Sequence, residues 1–324
     1  MTDAPDLPPR LTDGSAFVSA VQPACPSDLL ARAARFAAPR MAIAAAAAPA
    51  PLEAARDAVA AGIMEPVLVG ERAVIEREAE ALSFDLTPFE IVEAAGEAEC
   101  AEAATALVRE GRADVLVKGH LHTDAFMKPA IAKDRGLRTD RRFVHVFHLS
   151  PPDGGRALMV SDAAVNVAPS MKTRQDSLRA MTELGLALGL ERPRLAVLSA
   201  TESVIDSMPS SVDARALQDW AAEHLPEATV RGPLALDLIL SEAAARTKGL
   251  GEDPVAGEAD GVQVPDIVSG NAIFKALVYV GAACAAGIVM GARAPILLTS
   301  RADPAVARLA SACLAAIRCA KPKG

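Results

Sequence analysis

The sequence predicts an α/β protein with largely parallel sheets. Short apolar segments of strand length alternate with longer segments of helical periodicity along most of the 324 residues. Polar residues collect directly after several predicted strands, where ligands bind in such sheets. Hydrophobic residues make up 51% of the chain and aromatic residues only 3%, so small and branched aliphatic side chains must form the core. The length suits about two domains of ordinary size.

The predicted elements follow one another in a regular order after a lead-in at residues 1–25. An apolar strand begins at Met41, and a helix separates it from a short strand at 66–70. Further predicted strands lie at 113–119, 142–150, 156–162, 194–200, 260–266 and 294–300. Predicted helices lie at 71–82, 97–111, 172–189, 210–224, 241–247, 270–286 and 304–320.

Charge and cysteine content disfavour several classes of protein. A net charge of −8 argues against a nucleic-acid surface, which needs a basic face. The five cysteines form no CxxC pair, so we expect neither a disulfide framework nor a zinc ribbon, and we expect a reducing, cytoplasmic location. MTDAPDLPPRLTDG at the N-terminus does not have the pattern of a signal peptide. The uncharged run at 276–292 is interrupted by glycines and predicts a buried helix and strand, so no membrane partner is expected.

The stretch VKGHLHTDAFMK raises the question of a metal site, because it holds two of the five histidines. On a strand, His120 and His122 would share one face, and such a pair can bind zinc. The nearby candidates Asp124, His145 and His148 do not complete a recognised ligand spacing. The pattern therefore favours a loop with hydrogen-bonding histidines and no metal. His145 and His148 are predicted on opposite faces of a strand, with core or surface roles as the default.

A second polar turn follows the last predicted strand, in LLTSRADPAVARLA. Ser300 and Arg301 lie at the turn, and a helix is predicted to start at Pro304 with Asp303 as its N-cap. A helix N-terminus, a hydroxyl and a guanidinium at one point favour phosphate, although an ordinary strand–helix turn fits the local pattern equally well. A capping Asp303 would be structural, so Asp303→Asn is expected to leave activity largely intact. Asn271 is predicted at the cap or in the first turn of another helix.

No GxxxxGK[ST], GxGxxG or GxSxG motif supports a nucleotide-binding enzyme or an α/β-hydrolase. Taken together, however, several segments resemble the phosphate acetyltransferase/phosphate butyryltransferase family. They include VLVKGHLHTDAFMKPAI, GLRTDRRFVHVF, ALMVSDAAVNVAPS, PVAGEADGVQVPDIVSGNAIFKALVY and AAGIVMGARAPILLTSRADP, in family order. The version here looks closer to the butyryltransferase-like branch than to the longest acetyltransferases.

The resemblance implies a two-domain fold like that of isocitrate and isopropylmalate dehydrogenases, with an interdomain cleft. Residues 1–140 plus 290–324 would form the first domain and 141–289 the second. The resemblance also implies a homodimer, which is typical of the family. The implied reaction is reversible transfer of a short acyl group, acetyl first and butyryl second, between CoA and inorganic phosphate. The partners would be acyl-CoA, phosphate and acyl phosphate. The CoA thiolate would attack the acyl phosphate directly, without a covalent enzyme intermediate, a metal or a tightly bound cofactor.

Two other readings stay open at this point. A decarboxylating dehydrogenase on the same fold would need clustered Asp ligands for a divalent metal and a nicotinamide site, and the sequence supplies neither pattern. A non-catalytic relative that binds CoA or acyl phosphate is the third possibility. It is favoured by Ala307, which occupies the position where the acetyltransferases carry the carboxylate that deprotonates CoA.

The resemblance also assigns roles to individual residues. Ser300 would position or polarise the carbonyl, Arg301 would bind phosphate, and Asp303 completes the predicted catalytic set. Gly119 would let the backbone approach the ligand, and Lys128 falls where the acetyltransferases place an arginine. The predicted substrate-binding residues are Gly119, His122, Thr123, Lys128, Arg138, Asn166 and Asn271.

Overall fold

The computed structural model describes residues 21–299 and 303–321. The strands are β1 (Arg40–Ala44), β2 (Glu65–Gly70), β3 (Glu90–Glu93), β4 (Val115–Lys118), β5 (Val144–Ser150), β6 (Leu158–Ser161), β7 (Arg194–Leu198), β8 (Thr229–Leu234), β9 (Gly261–Gln263), β10 (Cys284–Met290) and β11 (Ile296–Leu297). The helices are α1 (Ser27–Ala33), α2 (Pro49–Ala60), α3 (Arg72–Ala81), α4 (Gly96–Arg109), α5 (Thr123–Ala130), α6 (Met171–Ala187), α7 (Pro209–His224), α8 (Leu236–Leu240), α9 (Glu242–Thr247), α10 (Ile267–Tyr279) and α11 (Ala305–Arg318).

The strands form one continuous sheet in the order β3-β2-β1-β4-β11-β10-β5-β6-β9-β7-β8. The block β3-β2-β1-β4-β11 is parallel, and so is the block β6-β9-β7-β8. β10 and β5 join the blocks, because β10 pairs antiparallel with β11 and β5, and β5 pairs antiparallel with β6. The two parallel blocks therefore run in opposite directions, and the centre of the sheet is antiparallel.

Helices cover both faces of the sheet, which explains the near-continuous apolar strands. Successive side chains of a strand point to opposite faces. Met41 and Ile43 accordingly pack in one core cluster with α2 and α11, whereas Ala42 and Ala44 pack in another with α4 and α5. Strands buried on both faces lose the alternation that marks a half-exposed sheet. Alanine supplies much of this core and lets the helices approach the sheet closely.

The alternating α/β pattern was predicted correctly, but several bounds were not. The helix predicted at 270–286 begins at Ile267 and ends at Tyr279, and β10 starts only five residues later. The strands β3 and β8 and the helices α1, α5 and α8 were not predicted. β3 is a short edge strand with mostly half-buried side chains, so it carries no strong apolar signal. β11 pairs with β4, which returns the end of the chain to the first parallel block. The domain division at 140 and 290 stays a prediction.

In the described part of the chain, no helix has both the length and the apolar character needed to cross a membrane. The run at 276–292 contains the end of α10 and all of β10, which agrees with the predicted helix followed by a strand. All five cysteines are free thiols. The cytoplasmic location stays a prediction.

Candidate active site

A cleft of about 540 Å³, which we call the central cleft, opens between α5 and α10. Its floor is made by β5 and β10, where the sheet is antiparallel. Thr123 and Asp124 reach it from the first turn of α5, and Asn271 reaches it from α10. Thr299 and Asp303 line it from the segment between β11 and α11. The central cleft therefore collects side chains from both parallel blocks and from the antiparallel strands that join them.

A second cavity of about 190 Å³, which we call the apolar cavity, lies on the opposite face of the sheet between α2 and α11. Its apolar wall consists of Ile43, Ala50, Pro51, Ala54, Ala55, Met64, Val117, Leu297 and Ala312. Its polar end carries Lys118, His120, Thr299 and Arg308, and no described lining residue is Asp or Glu. Thr299, which follows β11, lines both cavities. The polar end of the apolar cavity thus has a cationic character suited to an anion.

The polar end is built by close packing of strand ends. The Thr299 hydroxyl donates to the Lys118 carbonyl oxygen at 3.4 Å, and Lys118 is only 6% exposed. The Gly119 N–H donates to the Ala44 carbonyl oxygen at 2.9 Å. A Cβ at Gly119 would lie 2.4 Å from that oxygen, a distance that no side chain tolerates. The close approach that requires glycine here is therefore to the end of β1, and Gly119 also lines the apolar cavity.

The two histidines of VKGHLHTDAFMK follow β4 rather than lying on it, and they have different surroundings. His122 is the residue before α5, and its Nδ1 lies 2.7 Å from Glu97 Oε1. Its side chain is 74% exposed and does not line the central cleft, whereas His120 lines the apolar cavity. Lys128 is exposed in the last turn of α5 and lies outside the residues lining either cavity. The substrate-binding roles of His122 and Lys128 stay predictions.

No three His, Cys, Asp or Glu side chains within residues 21–299 and 303–321 are grouped as metal ligands. Arg138 is exposed and makes no hydrogen bond or ion pair with another described residue. Ser300 and Arg301 lie outside the described residues, directly after Thr299. The roles of these three residues in substrate binding and catalysis stay predictions.

Asn166 serves the architecture of the cleft wall. It lies close to Asp162, which is 2% exposed. Four groups donate hydrogen bonds to the Asp162 carboxylate: the N–H groups of His145 (3.1 Å), Ala164 (2.9 Å) and Val165 (2.9 Å), and Nδ2 of Asn166 (2.6 Å). Asn166 Nδ2 also donates to the Phe143 carbonyl oxygen at 2.8 Å. Both amide protons of Asn166 are therefore used within the protein, and its substrate-binding role stays a prediction.

Two helix starts differ from the predictions. The N-cap of α10 is Asp266, whose Oδ1 accepts the Ser269 N–H at 2.9 Å. Asn271 is therefore in the second turn of α10, not at the cap or in the first turn, and it lines the central cleft. The prediction failed because Asp266 was assigned to the end of the strand predicted at 260–266, whereas β9 ends at Gln263.

Asp303 is not the N-cap of the last helix. Pro304 has extended backbone angles (φ −65°, ψ 157°) and occupies the cap position, where it offers no side-chain hydrogen bond to α11. The helix begins one residue later than predicted, at Ala305, because the proline stays outside it. Asp303 instead lines the central cleft, and its carbonyl oxygen accepts a hydrogen bond from Arg308 Nη1 at 2.8 Å. The predicted capping role, which argued against Asp303 as a reacting group, is therefore wrong.

His145 lines the central cleft, a role that the sequence did not single out. Its imidazole is 2% exposed, and burial lowers its pKa to about 4, an effect that the negative charge of Asp162 opposes. The ring centroid lies 4.2 Å from that of Phe147, which stacks on Phe274 of α10 at 4.0 Å. The alternation within β5 was visible in the sequence, and His145 and His148 do lie on opposite faces. The sequence could not show which face borders a cleft.

Alkylation with iodoacetamide is expected to modify Cys25 first and to reduce activity less than about threefold. Cys25 is half-buried beside a separate groove, and a hydrogen bond from Cys313 lowers the pKa of its thiol. Burial raises the pKa of Cys284 to about 12 and that of Cys319 to about 11. No cysteine is among the described residues that line the central cleft. Peptide mapping and residual activity test this, with Cys25→Ser as the unreactive control; rapid inactivation of that variant would contradict it.

The fold defines a class of protein. The chain is similar to a solved 4-hydroxythreonine-4-phosphate dehydrogenase from Klebsiella pneumoniae, with 14% identity, a TM-score of 0.52, and coverage of 88% of this chain and 100% of that chain. This similarity concerns the fold alone. It is also similar to a branched-chain phosphotransacylase from Enterococcus faecalis V583, with 29% identity, a TM-score of 0.76, and coverage of 86% and 98%. The predicted dehydrogenase-like α/β fold is confirmed.

Sequence comparison gives the family. The family model described as "Phosphate acetyl/butaryl transferase" matches residues 99–316. A phosphate acetyltransferase of Rhizobium meliloti is 41% identical over 271 residues, which cover 83% of this chain and 85% of the relative. A phosphate butyryltransferase of Clostridium acetobutylicum is 37% identical over 267 residues, covering 82% and 88%. The chain belongs to the phosphate acetyl/butyryl transferase family, and the predicted resemblance is confirmed.

Proposed function

We propose that the protein catalyses reversible transfer of a short acyl group between CoA and inorganic phosphate. The observation that carries this proposal is that Thr299 lines both cavities, in a chain of the phosphate acetyl/butyryl transferase family. One cavity offers apolar walls with a cationic end, and the other offers carboxylates and hydrogen-bonding groups. Such an arrangement suits acyl transfer, in which phosphate and the CoA thiol must both be held next to the acyl carbonyl carbon.

In this proposal the central cleft receives the thiol end of CoA beside Asp303. Asp303 takes the thiol proton, because Ala307 at the family's usual carboxylate position is an alanine with 5% exposure. The thiolate attacks the acyl phosphate carbonyl, the C–S bond forms, and the C–O bond to phosphate breaks. Ser300 and Arg301 follow Thr299 directly in the chain, which supports their predicted roles at the carbonyl and the phosphate. Asp303 returns the proton to the departing phosphate.

Phosphate-dependent release of CoA from acetyl-, propionyl- and butyryl-CoA tests the proposed function. We expect turnover with at least one of the three, and the same rate after treatment with EDTA. No turnover with any of them would rule out the transferase. Tight binding of a nicotinamide nucleotide would instead favour the dehydrogenase alternative. CoA binding without turnover would favour a non-catalytic relative.

The apolar cavity favours a second candidate, in which a four-carbon or branched acyl group is the preferred substrate. Its volume of about 190 Å³ exceeds the roughly 150 Å³ of an engineered apolar cavity that binds benzene. An acetyl group would leave most of this space empty, whereas a butyryl or branched chain would fill more of it. The Enterococcus faecalis structure of similar fold is described as a branched-chain phosphotransacylase, which agrees with this candidate.

The variant Ala54→Leu is expected to lower kcat/KM for butyryl-CoA about tenfold or more and to change the value for acetyl-CoA little. Ala54 is half-buried on α2 and lines the apolar cavity, so a larger side chain fills the space that a longer acyl chain would occupy. Ala222→Leu is the matched control, because Ala222 is exposed on α7. Equal losses for both acyl-CoA substrates would contradict an acyl-binding role of the cavity.

The substrates implied by the family are acyl-CoA, inorganic phosphate and acyl phosphate, and CoA is a substrate rather than a resident cofactor. The homodimer is part of the same proposal and stays a prediction. Sedimentation analysis of the purified full chain would test it directly.

A further inference from the structure

His145 is placed unusually for a core histidine. It lies in the floor of the central cleft, where most neighbouring side chains are apolar. Its backbone N–H is bound by the Asp162 carboxylate at 3.1 Å, which fixes the start of β5. Its Nδ1 is buried and makes no hydrogen bond to any described residue. Buried polar atoms are nearly always hydrogen-bonded, so an unpartnered imidazole nitrogen at a cleft calls for an explanation.

The opposite edge of the ring, formed by Cε1 and Nε2, lies against Gly287. A Cβ built on Gly287 would lie 2.8 Å from His145 Cε1 and 2.9 Å from its Nε2. Gly287 lines the central cleft, so the missing side chain at this position leaves the room that the imidazole edge occupies. Any other residue at 287 would push the ring away. Because His145 and Gly287 both line the central cleft, the Nε2 edge lies at the floor of this cleft.

The ring is neutral and carries one proton. Burial lowers the pKa of His145 to about 4, so the imidazole is uncharged at neutral pH. A neutral imidazole is a donor at one nitrogen and an acceptor at the other. Orphaned buried N–H groups are rarer in proteins than under-satisfied acceptors. We therefore assign the proton to Nε2, which leaves Nδ1 as the unprotonated nitrogen.

We propose that His145 is a catalytic residue whose Nε2–H donates a hydrogen bond to the acyl carbonyl oxygen of the bound substrate. The inference rests on the proposed acyl transfer. As the C–S bond forms, the carbonyl electron pair moves onto oxygen, and the Nε2–H stabilises the resulting negative charge. The pair returns when the C–O bond to phosphate breaks. His145 keeps its proton throughout, and Asp303 carries the thiol proton to the phosphate.

This role suits a neutral histidine better than acid–base catalysis. A group with a pKa of about 4 is a weak base for a thiol of pKa about 8.5. A fixed, uncharged donor needs no reorganisation when charge develops on the oxygen. The packing of His145 against Phe147, and of Phe147 against Phe274, holds the ring in place.

The test compares two amide replacements that keep different nitrogen positions. In His145→Gln the side-chain amide can take the place of Nε2, and in His145→Asn it can take the place of Nδ1. We expect His145→Asn to lower kcat about 10²- to 10³-fold with little change in the KM for CoA or acyl phosphate, because the bond strengthens only in the transition state. His145→Gln is expected to retain at least about ten times the kcat of His145→Asn.

His148→Gln is the matched control, because His148 lies on the other side of the same strand and outside the central cleft. Its kcat is expected to stay within about threefold of the wild type. Gly287→Ala is a second variant that keeps His145 but displaces its ring, and it should also lower kcat. Chemical denaturation of each variant shows whether it is folded.

Three results would overturn the inference. Folded His145 variants with kcat near the wild-type value would show that the ring does not contact the reacting carbonyl. A His145→Asn variant as active as His145→Gln would contradict the assignment of the donor to Nε2. A wild-type protein without turnover would overturn the proposed function and this inference with it. Wild-type turnover with unaffected variants would overturn the inference alone.

Discussion

The variant Asp303→Asn is expected to lower kcat for acyl-CoA synthesis by about 10²-fold or more at pH 7, because it removes the carboxylate that takes the CoA thiol proton. The sequence pattern predicted the opposite, since Asp303 was expected to be an N-cap. Pro304 holds the cap position instead, and Asp303 lines the central cleft. Asparagine has nearly the same shape, so the fold should persist. Steady-state rates with CoA and acetyl phosphate or butyryl phosphate provide the measurement.

The deficit should shrink as the pH is raised. A thiol of pKa about 8.5 is mostly protonated at pH 7 and mostly thiolate above pH 9, where a base is no longer required. Asp124→Asn is the matched control, because Asp124 lines the same cleft from α5 and is given no role in proton transfer. Its activity should stay within about threefold of the wild type. An unchanged rate in Asp303→Asn, or a deficit independent of pH, would exclude Asp303 as the base.

The variant Asp162→Asn is expected to lower the free energy of unfolding by about 3 kcal/mol. Asp162 is buried and accepts four hydrogen bonds, from three backbone N–H groups and from Asn166. In asparagine, an NH₂ group replaces one of the two carboxylate oxygens. The N–H groups that donate to this oxygen then face another donor and lose their hydrogen-bond acceptor. The cost should appear as a lower midpoint of denaturation in guanidinium chloride.

Asp153→Asn is the control for this effect. Within the described part of the chain, the Oδ1 of Asp153 accepts a single hydrogen bond, from the Gly155 N–H at 3.1 Å, in an exposed turn. Water can replace such a bond, so the change in stability should be below about 0.5 kcal/mol. Equal midpoints for Asp162→Asn and Asp153→Asn would show that the buried hydrogen bonds of Asp162 do not support the fold. A lower activity of folded Asp162→Asn is also expected, because Asp162 anchors the backbone of His145.

Local patterns were sufficient for much of the architecture and insufficient for helix starts. The periodicity at 172–189 and 210–224 predicted α6 and α7 to within a few residues, because long amphipathic helices repeat the same signal over several turns. The starts of α10 and α11 were misplaced, because one competing residue decides a cap. Asp266 caps α10, and Pro304, with an extended ψ of 157°, takes the cap position of α11.

The candidate site shows the same division more sharply. Thr123, Asn271 and Asp303 were predicted as site residues, and the fold brings them to one cleft. His122 and Lys128 come from the same stretch as Thr123, yet neither lines the central cleft. His122 precedes α5 and contacts Glu97, and Lys128 lies five residues after Thr123 on a different face of the helix. His145 was treated as an ordinary strand residue. Its importance depends on Gly287, which is 142 residues away in sequence and adjacent across β5 and β10.

By itself, the sequence determined the α/β class, the order of most elements, and the family, because these depend on periodicity and on motifs that are local in the chain. Only the tertiary structure decided which polar residues share a cleft and which are used to hold the fold. Those assignments depend on strand pairing and on the opposite direction of the two parallel blocks, which bring distant residues within hydrogen-bonding distance. The carboxylate of Asp303 and the imidazole of His145 acquire a common site only through that packing.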